Sequence, residues 1–244
     1  MNIEMYRIFF EIQKKHWWFV ARKKIIMDLI YRYLNKSSDI KILDIGCGSG
    51  LMLNVLEDVG QTYGMDVSDE AINFSKQIFR GKVAKGFLPD QIPYQESFFD
   101  LITALDVIEH VEKDDDSLKA IYRLLVPGGK AVITVPAFML LWSRFDELNE
   151  HKRRYTLQEL KSKLLHAGFD VEKISYYNTL LFPVVFFIRM FNNAIKRNGA
   201  SDIDMPNFLL NSALEKIFSS EKYILKFLNL PIGVSILAVV GKRS

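Results

Sequence analysis

The amino-acid sequence predicts an α/β fold in which a parallel sheet is covered by helices on both faces. Three observations predict this fold. Short apolar runs alternate with amphipathic stretches over the first two-thirds of the 244-residue chain. Three glycines, Gly46, Gly48 and Gly50, directly follow the first apolar run. The second run ends in Asp66, and an acid about 20 residues after the first glycine is typical of ribose recognition in doubly wound sheets.

The predicted elements alternate in order along the chain. Apolar residues of 22–34 form one helical stripe, and a further helix begins after the glycines. Ser68 or Asp69 can cap the next helix, and the turn 127–129 introduces a strand. The predicted helices are 22–34, the segment after the glycines, 71–79, 116–125 and 156–169. The predicted strands are 40–45, 61–66, 82–87, 99–104, 130–135, 171–177 and 233–243.

Composition and charge narrow the classes of function. A hydrophobic content of 49% is sufficient for a sizeable core, and a net charge of +3 is too small to indicate nucleic-acid binding. The single cysteine, Cys47, excludes an internal disulfide and is compatible with a reducing compartment. The N-terminal residues lack the basic and then apolar pattern of a signal peptide. We therefore expect a cytoplasmic protein that binds no nucleic acid.

Asp44 stands at the end of the first predicted strand, immediately before the glycines. A buried carboxylate is costly unless it is paired, so a ligand of opposite charge is expected beside it. A dinucleotide would bring a pyrophosphate, which Asp44 would repel, and Leu51 stands where the dinucleotide fingerprint needs a small residue. The ammonium and sulfonium groups of S-adenosylmethionine would be attracted. The acid therefore favours S-adenosylmethionine as the cofactor.

Four stretches in this order resemble the motifs of class I S-adenosylmethionine-dependent methyltransferases: ILDIGCGSG, YGMD, FDLITALDVIEHV and LLVPGGKAVITVP, within residues 42–136. The resemblance implies a Rossmann-like, doubly wound sheet of seven strands, mostly parallel, with a terminal antiparallel hairpin. It also implies the roles of the cofactor-binding residues. Asp44, Gly46, Gly48 and Gly50 would line the methionine part, Asp66 would hold the ribose, Phe87 and Leu88 would flank the adenine, and Leu105 would face the cofactor.

Two further stretches, HWWF at 16–19 with Arg22 and LWSRFDELNEHKRRYTLQEL at 141–160, resemble a bacterial and archaeal subgroup of these enzymes. That subgroup is connected with polysaccharide or lipid-linked glycan assembly, and it is distantly similar to methyltransferases of the quinone ring. The resemblance implies O-methylation of a small or lipid-linked acceptor. The alternative is a non-catalytic module that binds S-adenosylmethionine as a sensor or scaffold.

A base is needed if the acceptor is a hydroxyl, and His110 and His151 are the two candidates. His110 can instead brace its own turn. Asp106 and Glu109 with His110 could hold a divalent metal, but Glu-His after the fourth strand is common in this class without one, so we expect no metal.

A basic run precedes the helix at 156–169. Arg153, Arg154 and Tyr155 are predicted to bind an anionic group of the acceptor, because arginine presents paired donors to phosphates and carboxylates. The alternative is a solvated loop paired with the acids at 146–150.

We expect a single domain spanning 1–244, with an N-terminal helical lid at 1–35 and a helical cap insert at about 178–232 before the last strand. Within the cap, residues 180–188 form an apolar run, which is too short to cross a bilayer because a spanning helix needs about 20 residues. The run can contact the inner membrane face peripherally, contact a lipid acceptor, or pack on the core or a second subunit. The oligomeric state is left open.

Overall fold

The computed structural model describes residues 3–34, 40–194 and 205–243. Seven strands form one sheet in this part of the chain, in the order β3-β2-β1-β4-β5-β7-β6, and the predicted α/β fold is confirmed. All neighbours are parallel except β7, which is antiparallel to β5 and β6. The strands are β1 Lys41–Ile45, β2 Gln61–Asp66, β3 Lys82–Lys85, β4 Phe99–Leu105, β5 Leu125–Pro136, β6 Asp170–Tyr177 and β7 Ser235–Gly241.

Nine α-helices lie in the described residues. They are α1 Ile3–Lys15, α2 Trp17–Tyr33, α3 Leu51–Leu56, α4 Asp69–Ile78, α5 Asp114–Leu124, α6 Arg144–Leu148, α7 Leu157–His166, α8 Phe182–Ala194 and α9 Phe208–Ile224. Ser68 caps α4, with its side chain accepting a hydrogen bond from the backbone N–H of Ala71, in agreement with the sequence-based prediction. Within these residues, no helix is long and apolar enough to cross a membrane.

Two elements begin five residues earlier than predicted. α2 begins at Trp17 instead of residue 22, because the His16 side chain caps it by accepting from Trp18 N–H. β5 begins at Leu125 because the turn predicted to precede the strand is a bulge inside it. Leu125 pairs with Phe99, and the register then shifts before Lys130 pairs with Leu101.

Alternation along β1 decides which way Asp44 points. Leu43 and Ile45 belong to the core cluster that includes α5 and α7, whereas Ile42 packs in the cluster of α2 and α9. Because side chains alternate between the two faces of a strand, Asp44 shares the α2 face with Ile42. The fold therefore directs a carboxyl group toward the helix that carries Arg22.

The predicted lid and cap segments contain α1, α2, α8 and α9, while their residues 1–2, 35 and 195–204 lie outside the described residues. α9 packs along α2 through Phe218, which is fully buried and contacts the ring of Trp17. α8 lies at the carboxyl end of the sheet, where Arg189 Nη1 donates to the backbone oxygen of Leu141 over 2.7 Å. The two segments thus meet at the edge where parallel sheets bind ligands.

Candidate active site

The described residues enclose a large cavity at the carboxyl ends of the parallel strands. Its volume is about 1350 Å³, and most small-molecule pockets measure roughly 300 to 1000 Å³, so two ligands can occupy it together. Residues following β1 and β2 line one half, which we call the β1–β2 half. Residues following β4, β5 and β6 line the other, the β4–β6 half, and side chains of α2 and α8 also line the cavity. The sheet order reverses between β1 and β4, which is where such folds bind ligands.

The turn after β1 brings backbone close to the cavity. Gly46 has φ +69°, and a Cβ there would lie 2.6 Å from Val107 Cγ2, so the turn can pack on the β4 loop only with glycine at this position. Gly48 has φ +51°, and the nearest atom to a Cβ there is 3.9 Å away. Gly50 adopts φ +76° as the N-cap of α3. The turn therefore leaves an open cradle above Gly48, as a closely approaching ligand requires.

Asp44 is buried beside this cradle, and Thr103 Oγ1 donates to its Oδ1 over 2.6 Å. Burial raises the pKa of Asp44 to about 7, although the Thr103 hydrogen bond and the charge of Arg22 oppose this increase. A carboxyl group with this pKa changes charge near neutral pH. A cationic ligand in the cradle would favour its ionised form, so the residue fits a positively charged cofactor.

Asp66 ends β2 on the same side of the cavity. Its Oδ2 accepts from Gly48 N–H over 2.8 Å, and its Oδ1 accepts from Ser68 N–H over 2.9 Å. Burial raises the pKa of Asp66, while these backbone hydrogen bonds lower it. Each carboxylate oxygen has a second lone pair, so Asp66 can also accept from a ribose diol. It holds the glycine turn in shape as well, a role that the sequence does not reveal.

The other predicted cofactor residues also line the cavity. Phe87 and Leu88 follow β3, and Leu105 ends β4. Phe87 is 40% exposed, so one side of its ring is available to a ligand, whereas Leu88 is buried. The predicted cofactor-binding residues other than Gly50 thus line the cavity. They lie at the carboxyl ends of β1, β2, β3 and β4.

Arg22 links α2 to the end of β4. Its guanidinium pairs with the Asp106 carboxylate and lies 4.4 Å from the centre of the Trp18 ring. Thr134 Oγ1 donates to the other oxygen of Asp106 over 3.0 Å. The HWWF segment and Arg22 are therefore part of the cavity lining, and Asp106 is held by partners within the protein.

His151 is oriented by a buried carboxylate in the β4–β6 half. Its Nδ1 lies 2.8 Å from Asp146 Oδ1, and Arg154 donates to both oxygens of Asp146 over 2.8 and 3.0 Å. Burial acts to raise the pKa of Asp146, but the hydrogen bond from His151 and the charge and hydrogen bonds of Arg154 lower it well below its usual value. An ionised Asp146 favours the Nδ1–H tautomer of His151, in which Nε2 is the proton acceptor.

His110 and Glu109 lie next to His151. The rings of His110 and His151 meet edge to face at 4.7 Å, and desolvation together with His151 lowers the pKa of His110. Glu109 Oε1 lies 4.0 Å from His151 Nε2. Glu109 is fully buried, and burial and the charge of Asp106 raise its pKa well above the usual value. Both predicted bases are therefore in the cavity, together with a buried acid that the sequence suggests only as a metal ligand.

The set of residues that could hold a metal differs from the one that the sequence suggests. Candidate ligand atoms of Glu109, His110 and His151 lie within 4.8 Å of one another. Asp106 is instead paired with Arg22. A divalent cation could bind this set, and its absence stays an expectation.

The predicted acceptor clamp is not assembled as expected. Of the three residues, only Arg154 lines the cavity, and its guanidinium bonds Asp146 and the backbone oxygen of Ala137. Arg153 and Tyr155 contact Asp114 over 3.1 and 2.9 Å, outside the cavity lining. Tyr155 forms a parallel bridge with Ala137, and neighbouring side chains at such a bridge point to opposite sides. Alternation therefore sends Arg154 inward and its two neighbours outward.

Sequence reasoning missed two residues that shape the far end of the cavity. Asn178 follows β6 with φ +57° and lines the cavity. Glu221 of α9 accepts hydrogen bonds from the backbone N–H groups of residues 178, 179 and 180 over 2.7 to 2.8 Å. No local signal links these positions, because α9 lies about forty residues farther along the chain and its buried acid looks like an ordinary surface residue in the sequence.

A family model described as a methyltransferase domain matches residues 19–174, which is more than half of the chain. A ubiquinone biosynthesis O-methyltransferase of Thiobacillus denitrificans is 30% identical over 138 residues, covering 52% of this chain and 54% of that protein. A probable S-adenosylmethionine-dependent methyltransferase of Mycolicibacterium smegmatis is 25% identical over 165 residues, covering 66% and 62%. The chain spans about half the length of the curated relatives it matches.

Solved structures share the fold at low sequence identity. The methyltransferase in a Haloferax volcanii complex with the activator Trm112 has a TM-score of 0.64 and 17% identity, covering 96% of this chain and 93% of that chain. A Haemonchus contortus phosphoethanolamine N-methyltransferase in complex with S-adenosylmethionine has a TM-score of 0.60 and 17% identity, covering 90% and 52%. At this identity the two structures show the fold alone.

Proposed function

Because the chain belongs to the family of methyltransferase domains, we propose that it is an S-adenosylmethionine-dependent methyltransferase acting on an oxygen of a small or lipid-linked acceptor. One observation carries the proposal. A single cavity joins a glycine cradle with a buried acid, Asp44, to a histidine held by a carboxylate, His151. The first group fits a cationic cofactor, and the second fits removal of a proton from a hydroxyl.

The residues of the β1–β2 half would hold the cofactor. S-adenosylmethionine supplies an electrophilic methyl group on a positively charged sulfur. Asp44 provides the opposite charge, Gly48 allows close backbone approach, and Asp66 accepts from the ribose hydroxyls. Phe87 and Leu88 provide apolar contacts for the base. Holding the two reactants aligned supplies about 7 to 11 kcal/mol of the barrier reduction in well-oriented reactions, so this protein needs few additional groups.

The residues of the β4–β6 half would prepare the acceptor. His151 Nε2 takes the proton of the acceptor hydroxyl, and Asp146 stabilises the resulting imidazolium through Nδ1–H. Arg154 keeps Asp146 ionised and in place, so it acts as a positioning residue and not as the anion clamp predicted from the sequence. The name of the Thiobacillus denitrificans relative, an O-methyltransferase, supports oxygen as the methylated atom.

The cofactor assignment predicts the effect of Asp66→Ala. Loss of two ribose hydrogen bonds should weaken S-adenosylmethionine binding by about 1.5 to 3 kcal/mol, roughly 10- to 150-fold. The variant should also melt at a lower temperature, because Gly48 and Ser68 lose their acceptor. Calorimetry measures the affinity, with the exposed Asp58→Ala as control. Unchanged affinity in Asp66→Ala, or no binding to the native protein, would contradict the assignment.

We also propose that the cap contacts the inner membrane face peripherally when a lipid-linked acceptor binds. α8 has an exposed apolar face formed by Val184, Phe187, Ile188 and Phe191, of which Phe187 is 70% and Phe191 is 60% exposed. Val185 and Ile188 of the same helix line the cavity. A lipid-linked acceptor could therefore enter the cavity beside the part of the protein that meets the bilayer.

Liposome co-sedimentation tests the membrane contact. Burying a phenylalanine is worth about 1.5 to 3 kcal/mol, so Phe187→Ser with Phe191→Ser should lower partitioning onto vesicles of phosphatidylglycerol and phosphatidylcholine at least tenfold. Leu165→Ser, a change of an exposed apolar residue on α7, is the matched control and should bind like the native protein. Native protein that stays in the supernatant would refute the contact, and so would an equal loss in the control.

A further inference from the structure

We propose that Glu109 and Asn178 determine acceptor specificity by accepting hydrogen bonds from hydroxyl groups other than the one that is methylated. The inference rests on the proposed function and specifies its substrate class, a ring with several hydroxyl groups. Sugars and polyphenols share this chemistry.

Glu109 is an acid in the interior of the protein. The residue is 0% exposed and lines the cavity. Neither of its carboxyl oxygens has a hydrogen-bond partner among the residues that the structure describes. Buried polar groups are almost always hydrogen-bonded, and an unsatisfied one costs free energy that folding must offset elsewhere. An acid kept in this environment is suited to a partner that arrives with the ligand.

Asn178 repeats this pattern at the end of β6. The residue is 1% exposed, it lines the same cavity, and its Oδ1 has no hydrogen-bond partner within the described part of the chain. Its φ of +57° lies in the left-handed region, and Glu221 fixes the turn by accepting from the N–H groups of residues 178 to 180. Unusual backbone conformations that are held by surrounding contacts are concentrated at functional sites. The turn thus holds a hydrogen-bond acceptor in a fixed place in the cavity.

The two residues together define what the acceptor must carry. The carbonyl oxygen of an amide or of a neutral carboxyl group needs a donor, and a hydroxyl group is a compact neutral donor. The oxygen that is methylated gives its proton to the base and can donate to neither residue afterwards. The acceptor therefore needs further hydroxyl groups to satisfy Glu109 and Asn178. A site built to bond a hydroxyl rejects the analogue that lacks it, because its own polar groups are then left unpaired.

The test measures binding in the presence of S-adenosylhomocysteine, so it does not depend on turnover. The probes are a dihydroxybenzene and a methyl hexoside, each compared with the analogue lacking one hydroxyl. Ligand-detected NMR should show at least tenfold preference of the native protein for one hydroxylated probe, and the preferred pair distinguishes the sugar from the polyphenol. Glu109→Leu and Asn178→Leu should each reduce the preference to about threefold or less, whereas Glu109→Gln keeps an acceptor oxygen and should retain most of it. Glu147→Gln, at an exposed acid of α6, should retain it.

Thermal unfolding separates a specificity role from a structural one. Glu109→Leu should melt at the same or a higher temperature than the native protein without ligands, because it removes an unsatisfied buried group. S-adenosylmethionine affinity should stay within twofold in all variants. Full preference in Glu109→Leu and Asn178→Leu, or a much lower melting temperature for both Glu109 variants, would overturn the proposal. Probe binding that a chelator abolishes would also overturn it, because a metal and not a direct hydrogen bond would then hold the hydroxyls. Failure of the proposed function is distinct, since it would appear as a loss of S-adenosylmethionine binding or methyl transfer in the native protein.

Discussion

Asp44→Asn is expected to stabilise the ligand-free protein by about 4 kcal/mol at pH 8 and to weaken S-adenosylmethionine binding at least tenfold. Burial raises the pKa of Asp44 from an ordinary value of 3.8 to about 7, and a tenfold change in an acid's ionisation constant corresponds to about 1.4 kcal/mol. Below pH 3.8 the carboxyl group is neutral in both the folded and unfolded states. As the pH rises from there to about 7, the unfolded state ionises freely while the folded protein resists ionising a buried acid, so stability is lost over this interval. Asparagine keeps a hydrogen-bond acceptor for Thr103 and removes the ionisation.

The affinity for S-adenosylmethionine should depend on the same ionisation of Asp44, but it should rise with pH where the stability falls. A cation in the cradle favours the carboxylate, so cofactor binding to the native protein should strengthen as the pH rises toward about 7 and should release protons below that pH. The Asn variant should show neither effect at this site. Urea unfolding at pH 5 and pH 8 and calorimetry in two buffers of different ionisation enthalpy measure the two quantities, with Asp58→Asn as control. A variant that is less stable than the native protein at pH 8 and binds the cofactor equally well would contradict the role of Asp44.

His151→Gln is expected to lower kcat by about 10² to 10⁴, the usual contribution of a positioned base, with cofactor affinity unchanged within twofold. Asp146→Asn should lower kcat as well, because the imidazolium of His151 loses the negative charge that stabilises it. The Asp146 variant should also melt at a lower temperature, because buried Arg154 loses its charged partner. His166→Gln, at an exposed position on α7, should behave like the native enzyme.

Stopped-flow or quenched-flow measurements at saturating cofactor give the rate of methyl transfer for each histidine variant. A His151 variant within threefold of the native rate, combined with a large loss in His110→Gln, would assign the base to His110. Equal retention of rate in both variants would mean that the acceptor loses its proton without a protein base.

The residues that line the β1–β2 half of the cavity could be predicted from the sequence because they are local. Asp44 and the glycines are contiguous, and Asp66 ends the next strand in order. The side chains that complete the other half come from distant segments. The sequence suggests Asp146 only as a charge partner of a loop, although it holds His151. Nothing in the sequence pairs Glu221 with the turn at Asn178, because that contact depends on how α9 packs.

Two local errors have physical reasons as well. The predicted start of α2 is too late because its cap is His16, and serine, threonine, aspartate and asparagine are the caps that sequence patterns reveal. The sequence groups Arg153 and Tyr155 with Arg154 because they are adjacent, but next to the bridge at Tyr155 adjacent side chains point in opposite directions. The role of each residue in this basic run therefore depends on the side of the backbone to which its side chain points. The bridge between Ala137 and Tyr155 fixes that side.

Transfer of a labelled methyl group tests the central claim most directly. Purified protein is incubated with S-adenosylmethionine labelled in the methyl group and with a fractionated cell extract that supplies acceptors. The proposed function predicts label in an acceptor fraction as an ether that resists mild base, at a rate that falls by about 10² or more in His151→Gln. Label bound by the protein but never transferred to any fraction would contradict the proposal and identify the chain as a non-catalytic module that binds S-adenosylmethionine.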